Sequence, residues 1–402
     1  MQAGRIRLRQ TGIKSALLQI HSVLGLAAAL VLALMGVTGA IMSFEDEIQA
    51  GLNAALARVV PRADAVLAPG ELVTRLQAAP EGGKVAAITL SRDPSSAVRI
   101  RFARGEDGGR PSSVLVDPYD GHVLGTPRGE AFFATVRKLH RWLLLPGDGN
   151  GAGRQITGAA VLALVVLLIS GMVLRWPRRA GSATAWLKPQ FALSGRGLHR
   201  SLHSVIGTWL LPVYLVMALT GLSYSYGWYK DGLTWLLAPA MQMPAKAPRE
   251  SRSDARSEPK PLALDLVWAT VRQEVGDAYT TIQLTLPAGA GTAVRVRSWL
   301  HQANDGARDE FRIDGASGRL LAAERYADKT GGERALARLL DIHRGNILGL
   351  PGQIVFMLTA ALMPLFAVTG LLLYVSRRRL RRPQPALIER EAAPAPAPTA
   401  FS

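Results

Sequence analysis

The chain holds seven histidines and no cysteine, and four of the histidines recur in register. Ile20-His21-Ser22-Val23-Leu24-Gly25 returns as Leu202-His203-Ser204-Val205-Ile206-Gly207. Met35 and Met217 each follow their histidine by fourteen residues, and Thr38-Gly39 and Thr220-Gly221 begin seventeen on. A second likeness links Leu139-His140-Arg141-Trp142, which leads through Pro146-Gly147 to Gln155-Ile156, with Ile342-His343-Arg344, which leads through Pro351-Gly352 to Gln353-Ile354. Ser170-Gly171 and Thr369-Gly370 close the runs that follow, and small residues there allow close helix packing. Neutral imidazole is the ligand form a low-dielectric site tolerates. Iron held through two axial imidazoles in a helix bundle needs a facing pair. The residues therefore predict two sites for metal or haem, His21 with His203 and His140 with His343. Zinc prefers three or four N, S or O ligands, and no carboxylate lies beside these histidines inside the apolar runs.

Neighbouring residues sharpen this. His199 lies one turn before His203, but its equivalent in the first half is Leu17, so His203 is the expected ligand and His199 its neighbour. Arg141 and Arg344 directly follow their histidines; they could hold porphyrin propionates by charge-assisted hydrogen bonds or anchor lipid headgroups. Met35 and Met217 stand about 21 Å along a helix from His21 and His203. They cannot share an iron with those histidines and fall near the other pair, as core packing or as thioether ligands. Ser223, Tyr224, Tyr226, Trp228, Tyr229 and Trp235 suit an aromatic interface belt. His122 and His301 have no partner by spacing and read as surface residues. Without cysteine there is no disulfide, iron–sulfur cluster or covalent c-type haem. With no G-x-G-x-x-G after a strand and no Walker A, electrons would have to come from a partner.

Four elements must carry these residues. The runs 15–44, 155–174, 201–229 and 345–376 lack Asp, Glu, Lys and Arg, and each can cross a hydrocarbon core that takes about 20 apolar residues. The first run is longer than a signal-peptide core of roughly 7–15 residues and mirrors the third, so it reads as a retained span. Basic clusters flank one side: Arg5, Arg7, Arg9 and Lys14; Arg175, Arg178, Arg179, Lys188, Arg196 and Arg200; Arg377, Arg378, Arg379, Arg381 and Arg382. The positive-inside rule then predicts that both termini are cytoplasmic. These clusters also account for a net charge of +17 without nucleic acid. Because both halves start on one side, the repeat is parallel, with its axis along the membrane normal.

The segments between spans read as small α+β units. Val114 to Gly125 alternates around Asp117-Pro118-Tyr119-Asp120-Gly121, a hairpin signal, and 86–90 and 97–102 are two further strands. In the second half 281–286, 293–297, 311–314 and 319–321 repeat the scheme, and 69–79 and 263–275 are amphipathic and helical. Residues 245–260 read as a polar linker and the tail from Pro383 as disordered.

These features resemble the PepSY-associated transmembrane-helix proteins, an inner-membrane group that includes a ferric-siderophore reductase. The carrying residues are Ile20–Gly25 with Thr38-Gly39-Ala40 and Phe44-Glu45-Asp46-Glu47; Leu139–Trp142; Leu202–Gly207 with Leu219-Thr220-Gly221; and the hairpin Val116–Gly121. The likeness covers roughly residues 15 to 380. It implies a mainly α bacterial inner-membrane protein of four transmembrane helices in two parallel pseudo-repeats, with two periplasmic α+β PepSY-like domains. It also implies b-type haem, two per chain given two histidine pairs, and electrons passing from a cytoplasmic reductase or quinol to a periplasmic ferric siderophore. The implied layout is a cytoplasmic tail 1–14, spans 15–44, 155–175, 201–229 and 353–376, and PepSY-like domains 45–135 and 230–340. Interfacial segments 136–154 and 341–352, a basic cytoplasmic loop 176–200 and a cytoplasmic tail 377–402 complete it. Two other readings are a parallel-repeat transporter, which would need a charged or broken-helix site at mid-membrane, absent from the middles of these runs, and a non-redox anchored PepSY binding module.

Overall fold

The computed structural model describes residues 2–381, except 64, 79–82, 104–112, 148, 177–180, 240–260, 288–291 and 302–304. The linker 245–260, Arg178, Arg179 and the tail from Pro383 therefore lie outside the described residues.

Four helical stretches are long and apolar enough to cross a membrane: Gly12–Met42, Ala152–Arg175, Gly195–Ser225 and Asn346–Leu380. The first three lie on α1 (Gln2–Met42), α5 (Ala152–Arg175) and α7 (Gly195–Ser225). Each begins before its predicted bound, because the helix keeps its backbone bonded ahead of the apolar run, while α1 ends at Met42 and α7 at Ser225, short of the expected 44 and 229. The fourth is not one helix. It divides at Leu362 into α12 (Gly349–Ala361) and α13 (Met363–Arg381), so the expectation of unbroken mid-membrane helices is corrected there. Pro364 supplies the reason, since proline has no N–H to donate and its ring crowds the carbonyl four residues back. The break is closed locally. Leu362 N–H reaches the carbonyls of Leu358 and Thr359, and the buried Tyr214 hydroxyl on α7 donates to Thr359 O at 2.7 Å.

Short helices carry the chain into and out of the spans. They are α2 (Glu45–Leu52), α4 (Glu130–Trp142), α8 (Gly227–Leu237), α10 (Gly331–Ala337) and α11 (Leu339–Arg344), with α6 (Ala183–Leu187) on the basic side. Sequence patterning marked 136–154 and 341–352 as interfacial but did not resolve α4 and α11. Ala28, Leu32, Ala160, Tyr214 and Met363 form the buried centre of the bundle.

The intervening segments are expected as two α+β units; the strands of both join in a single antiparallel sheet. Its strands are β1 (Val85–Ser91), β2 (Val98–Phe102), β3 (Ser113–Val116), β4 (Val123–Gly125), β5 (Thr281–Thr285), β6 (Ala293–Trp299), β7 (Arg308–Asp314) and β8 (Leu320–Glu324), in the order β4-β3-β2-β1-β5-β6-β7-β8. Each half is a four-stranded meander. Strands β1 and β5, the first of each meander, meet antiparallel in the middle, Ile88 opposite Leu284. The physical reason is edge protection: apart, β1 and β5 would each present an unpaired ladder. Alternation sorts the faces. Val98, Ile100, Val294 and Val296 are buried, and Arg99, Arg101 and Arg295 point away. Helices α3 (Pro69–Ala78) and α9 (Leu264–Val275) cover the apolar face with Leu72, Leu76, Val267 and Val271, in one core drawn from both halves.

A shared core predicts shared stability. Leu284→Ala should destabilise the sheet by about 2–5 kcal/mol. Hydrogen exchange should then accelerate in β1 and β2 as well as β5 and β6. Acceleration confined to residues 281–324 would mean two independent units.

Candidate functional site

The four repeated histidines occupy four equivalent environments. His21 Nδ1 lies 2.9 Å from Ser170 Oγ, His203 Nδ1 2.8 Å from Thr369 Oγ1, His140 Nδ1 3.0 Å from Thr38 Oγ1, and His343 Nδ1 2.9 Å from Thr220 Oγ1. Each hydroxyl also has a carbonyl one turn back on its own helix: Ser170 to Val166 O at 2.7 Å, Thr369 to Leu365 O at 2.6 Å, Thr38 to Leu34 O at 2.7 Å and Thr220 to Val216 O at 2.6 Å. A hydroxyl has one proton. Donated to the carbonyl, it leaves the oxygen to accept from the imidazole, so each ring carries its proton on Nδ1. Nε2 is then a lone-pair donor in all four rings, the arrangement by which hydrogen-bonded partners prepare a histidine to bind a metal.

The residue after each hydroxyl is glycine, and its missing side chain makes room for the ring. A Cβ would stand 3.3 Å from His140 Cε1 at Gly39, 3.2 Å from His21 Cε1 at Gly171, 3.3 Å from His343 Cε1 at Gly221 and 3.6 Å from His203 Cε1 at Gly370. Ser170-Gly171 and Thr369-Gly370, expected to serve close helix packing, thus receive imidazoles, as do Thr38-Gly39 and Thr220-Gly221. The missed signal was the fourfold recurrence of hydroxyl-then-glycine, one copy for each repeated histidine.

Bracing and pairing run in different directions. Every hydroxyl belongs to the same half of the chain as its histidine, whereas each histidine pair crosses between the halves. His21 and His203 have ring centroids 6.3 Å apart and planes at 75°. Two rings sharing one metal at bonds of about 2 Å have centres about 6 Å apart, a separation close to that of this pair. His140 and His343 face a cavity of about 280 Å³ shared with Met35, Met217, Tyr224 and Arg141. Both methionines thus lie beside this second pair. Burial pushes both imidazoles down to about 4, and Arg344 acts in the same direction. They are neutral at physiological pH, the form that ligates.

His199 is also on α7, but among the described residues it has no hydroxyl partner like that of His203. Arg344 faces the same cavity but lies 3.9 Å from Asp46; burial raises that carboxyl's pKa, and Arg344 opposes the shift. Arg154, unnoticed in the sequence, also lines the cavity. Tyr224 lines the cavity, its ring 6.3 Å from that of His343, and Trp228 and Trp235 are exposed. His122 and His301 are exposed.

The hydroxyl network has a direct test. Thr220→Val should remove one hydrogen-bonded Nδ1–H resonance from the spectrum of ¹⁵N-histidine-labelled protein, and Thr220→Ser should keep it. An unaltered spectrum in Thr220→Val would mean that the hydroxyl does not set the tautomer.

Comparison with curated proteins gives no match. The profile of the PepSY-associated TM region matches residues 18–377, from just before His21 to beyond Thr369 and thus across all four imidazole sites. By that match, on a four-span architecture, the chain belongs to the PepSY-associated TM region family.

Proposed function

We propose that this protein is a di-haem b electron conduit of the bacterial inner membrane, passing electrons from the cytoplasmic side to a ferric siderophore on the periplasmic side. The observation that carries this reading is the fourfold imidazole, hydroxyl and glycine arrangement, in which every Nδ1 lies within hydrogen-bond distance of a Ser or Thr hydroxyl. The donor set fits haem better than an isolated metal ion. Each site offers two imidazole nitrogens and no carboxylate between them, a donor set that would suit a porphyrin iron and would leave zinc under-coordinated.

His21 and His203 would hold the group near the basic side, and His140 and His343 the one near the sheet. The haems would supply one-electron carriage. The protein's part is to position, insulate and orient. Ser170, Thr369, Thr38 and Thr220 keep Nδ1 protonated and direct Nε2 inward. Ala28, Leu32, Ala160 and Met363 keep water out of the bundle between the two pairs. The basic loop and tail fix the orientation, with the sheet on the periplasmic side and both termini in the cytoplasm.

A cytoplasmic reductase or a quinol would supply the electrons. Fe(III) in the chelate would gain one electron and become Fe(II). Hard-oxygen chelators hold Fe(II) more weakly, so reduction releases the metal without breaking the chelator.

Detergent-purified protein should give a pyridine haemochrome corresponding to two b haems per chain. His21→Ala or His203→Ala should remove one, and His140→Ala or His343→Ala the other; His199→Ala should keep both. Protein reduced with dithionite and freed of excess reductant should reoxidise on adding ferric siderophore, with one trapped Fe(II) per electron. Colourless protein would overturn the haem assignment. Two haems without reoxidation would overturn the acceptor.

A further inference from the structure

The cavity beside His140 and His343 is lined by four guanidiniums, those of Arg137, Arg141, Arg154 and Arg344. They are not alike. Arg137 is ion-paired with the buried carboxylate of Glu45, and Arg344 faces Asp46. Among the described residues, Arg141 and Arg154 have no carboxylate. Arg154 is half-buried and fixed by two backbone oxygens, donating from Nε to Ser225 O at 2.9 Å and from Nη1 to Gly149 O at 3.2 Å. Carbonyls position a guanidinium but do not cancel its charge, and two of its five N–H groups at most are used. Arg141 lies over the Trp142 ring, 5.0 Å from its centroid. Arg141 and Arg154 line the same cavity.

The repeat shows how this imbalance arises. Glu45, Asp46 and Glu47 follow the first span; the equivalent place after the third holds Gly227, Trp228 and Tyr229. The acids serve Arg137 and Arg344, and Glu47 also accepts from Gln353 Nε2 at 2.8 Å. Arg154 has no counterpart either, since the residue before Gln353, the equivalent of Gln155, is Gly352. Arg137 and Arg344 are therefore neutralised, and Arg141 at the end of α4 and Arg154 at the start of α5 remain as two positive charges without a carboxylate among the described residues.

We propose that Arg141 and Arg154 form a two-point carboxylate site that takes both propionates of the sheet-side porphyrin, turning its acid edge toward α4 and α5 and away from Arg344. The inference rests on the haem reading above and revises the symmetric expectation that Arg141 and Arg344 share the task. The chemistry is that of any dicarboxylate: guanidinium forks bind carboxylates through paired, charge-assisted hydrogen bonds.

The test compares haem b with its dimethyl ester, which keeps the iron and the ring but lacks both negative charges. Each is titrated optically into haem-depleted full-length protein carrying His203→Ala, which leaves the sheet-side pair as the site read. The preference for haem over diester is taken within each variant, so a loss of fold weakens both ligands and cancels. The otherwise unaltered chain should prefer haem by about tenfold or more. Arg141→Gln and Arg154→Gln should each lose most of that preference, and Arg344→Gln should keep it. Equal affinity of the unaltered chain for both porphyrins would overturn the propionate site while leaving haem ligation intact. Loss in Arg344→Gln with retention in Arg154→Gln would overturn the assignment of residues. Failure of both porphyrins to bind would defeat the haem reading itself. In that event succinate quenching of Trp142 fluorescence, abolished by Arg154→Gln, would identify the pair as a site for a free dicarboxylate and overturn the porphyrin assignment.

Discussion

A buried imidazole must place its N–H somewhere, and here a single hydroxyl takes it. The Ser or Thr spends its own proton on the carbonyl four residues back, which makes the oxygen an acceptor. Buried polar groups are costly unless paired, so the hydroxyl stabilises one tautomer and leaves the other ring nitrogen with its lone pair. Much of the remaining architecture places that nitrogen. The glycine beside each hydroxyl lets the ring approach the helix, and α4 and α11 hold His140 and His343 against the ends of α1 and α7.

The bundle joins two such halves, and its departures from symmetry are informative. Phe366 stands 5.4 Å from the His203 ring and 5.7 Å from the Tyr214 ring, centroid to centroid. The equivalent positions in the first half are Leu167 and Leu32. Leu167 would lie against a Cβ at Gly25 just as Phe366 would at Gly207, so the backbone packing is conserved while the side-chain chemistry is not. Tyr214 also supports the divided fourth span through Thr359. The aromatic pair is thus bound to the one span that is broken.

Much of this was legible in the residues. Apolar runs and flanking arginines gave the four spans, and the alternation around Asp117 to Gly121 gave the hairpin. His21 and His203 were marked by their shared hexapeptide and His140 and His343 by their shared approach to the following span. What stayed hidden depends on the third dimension. Thr38 and His140 are 102 residues apart, and no local pattern joins them. Pro364 advertised a kink, but the run around it reads as continuous because every neighbour is apolar. The union of two sheets at Ile88 and Leu284 is a pairing of edges, and edges carry no mark in a sequence that alternates equally well in a lone domain.

That union has a mechanical meaning. Alternating access in parallel-repeat carriers comes from one half rocking against the other around a central site. Here five residue pairs, from Ala87 with Thr285 to Ser91 with Thr281, stitch the halves along a hydrogen-bonded seam, and side chains from both lie beneath it. Rocking would tear the ladder or carry the whole plate along. Such a frame suits a fixed gap between donor and acceptor far better than a gate, because distance held constant is what a charge hopping between stationary centres requires.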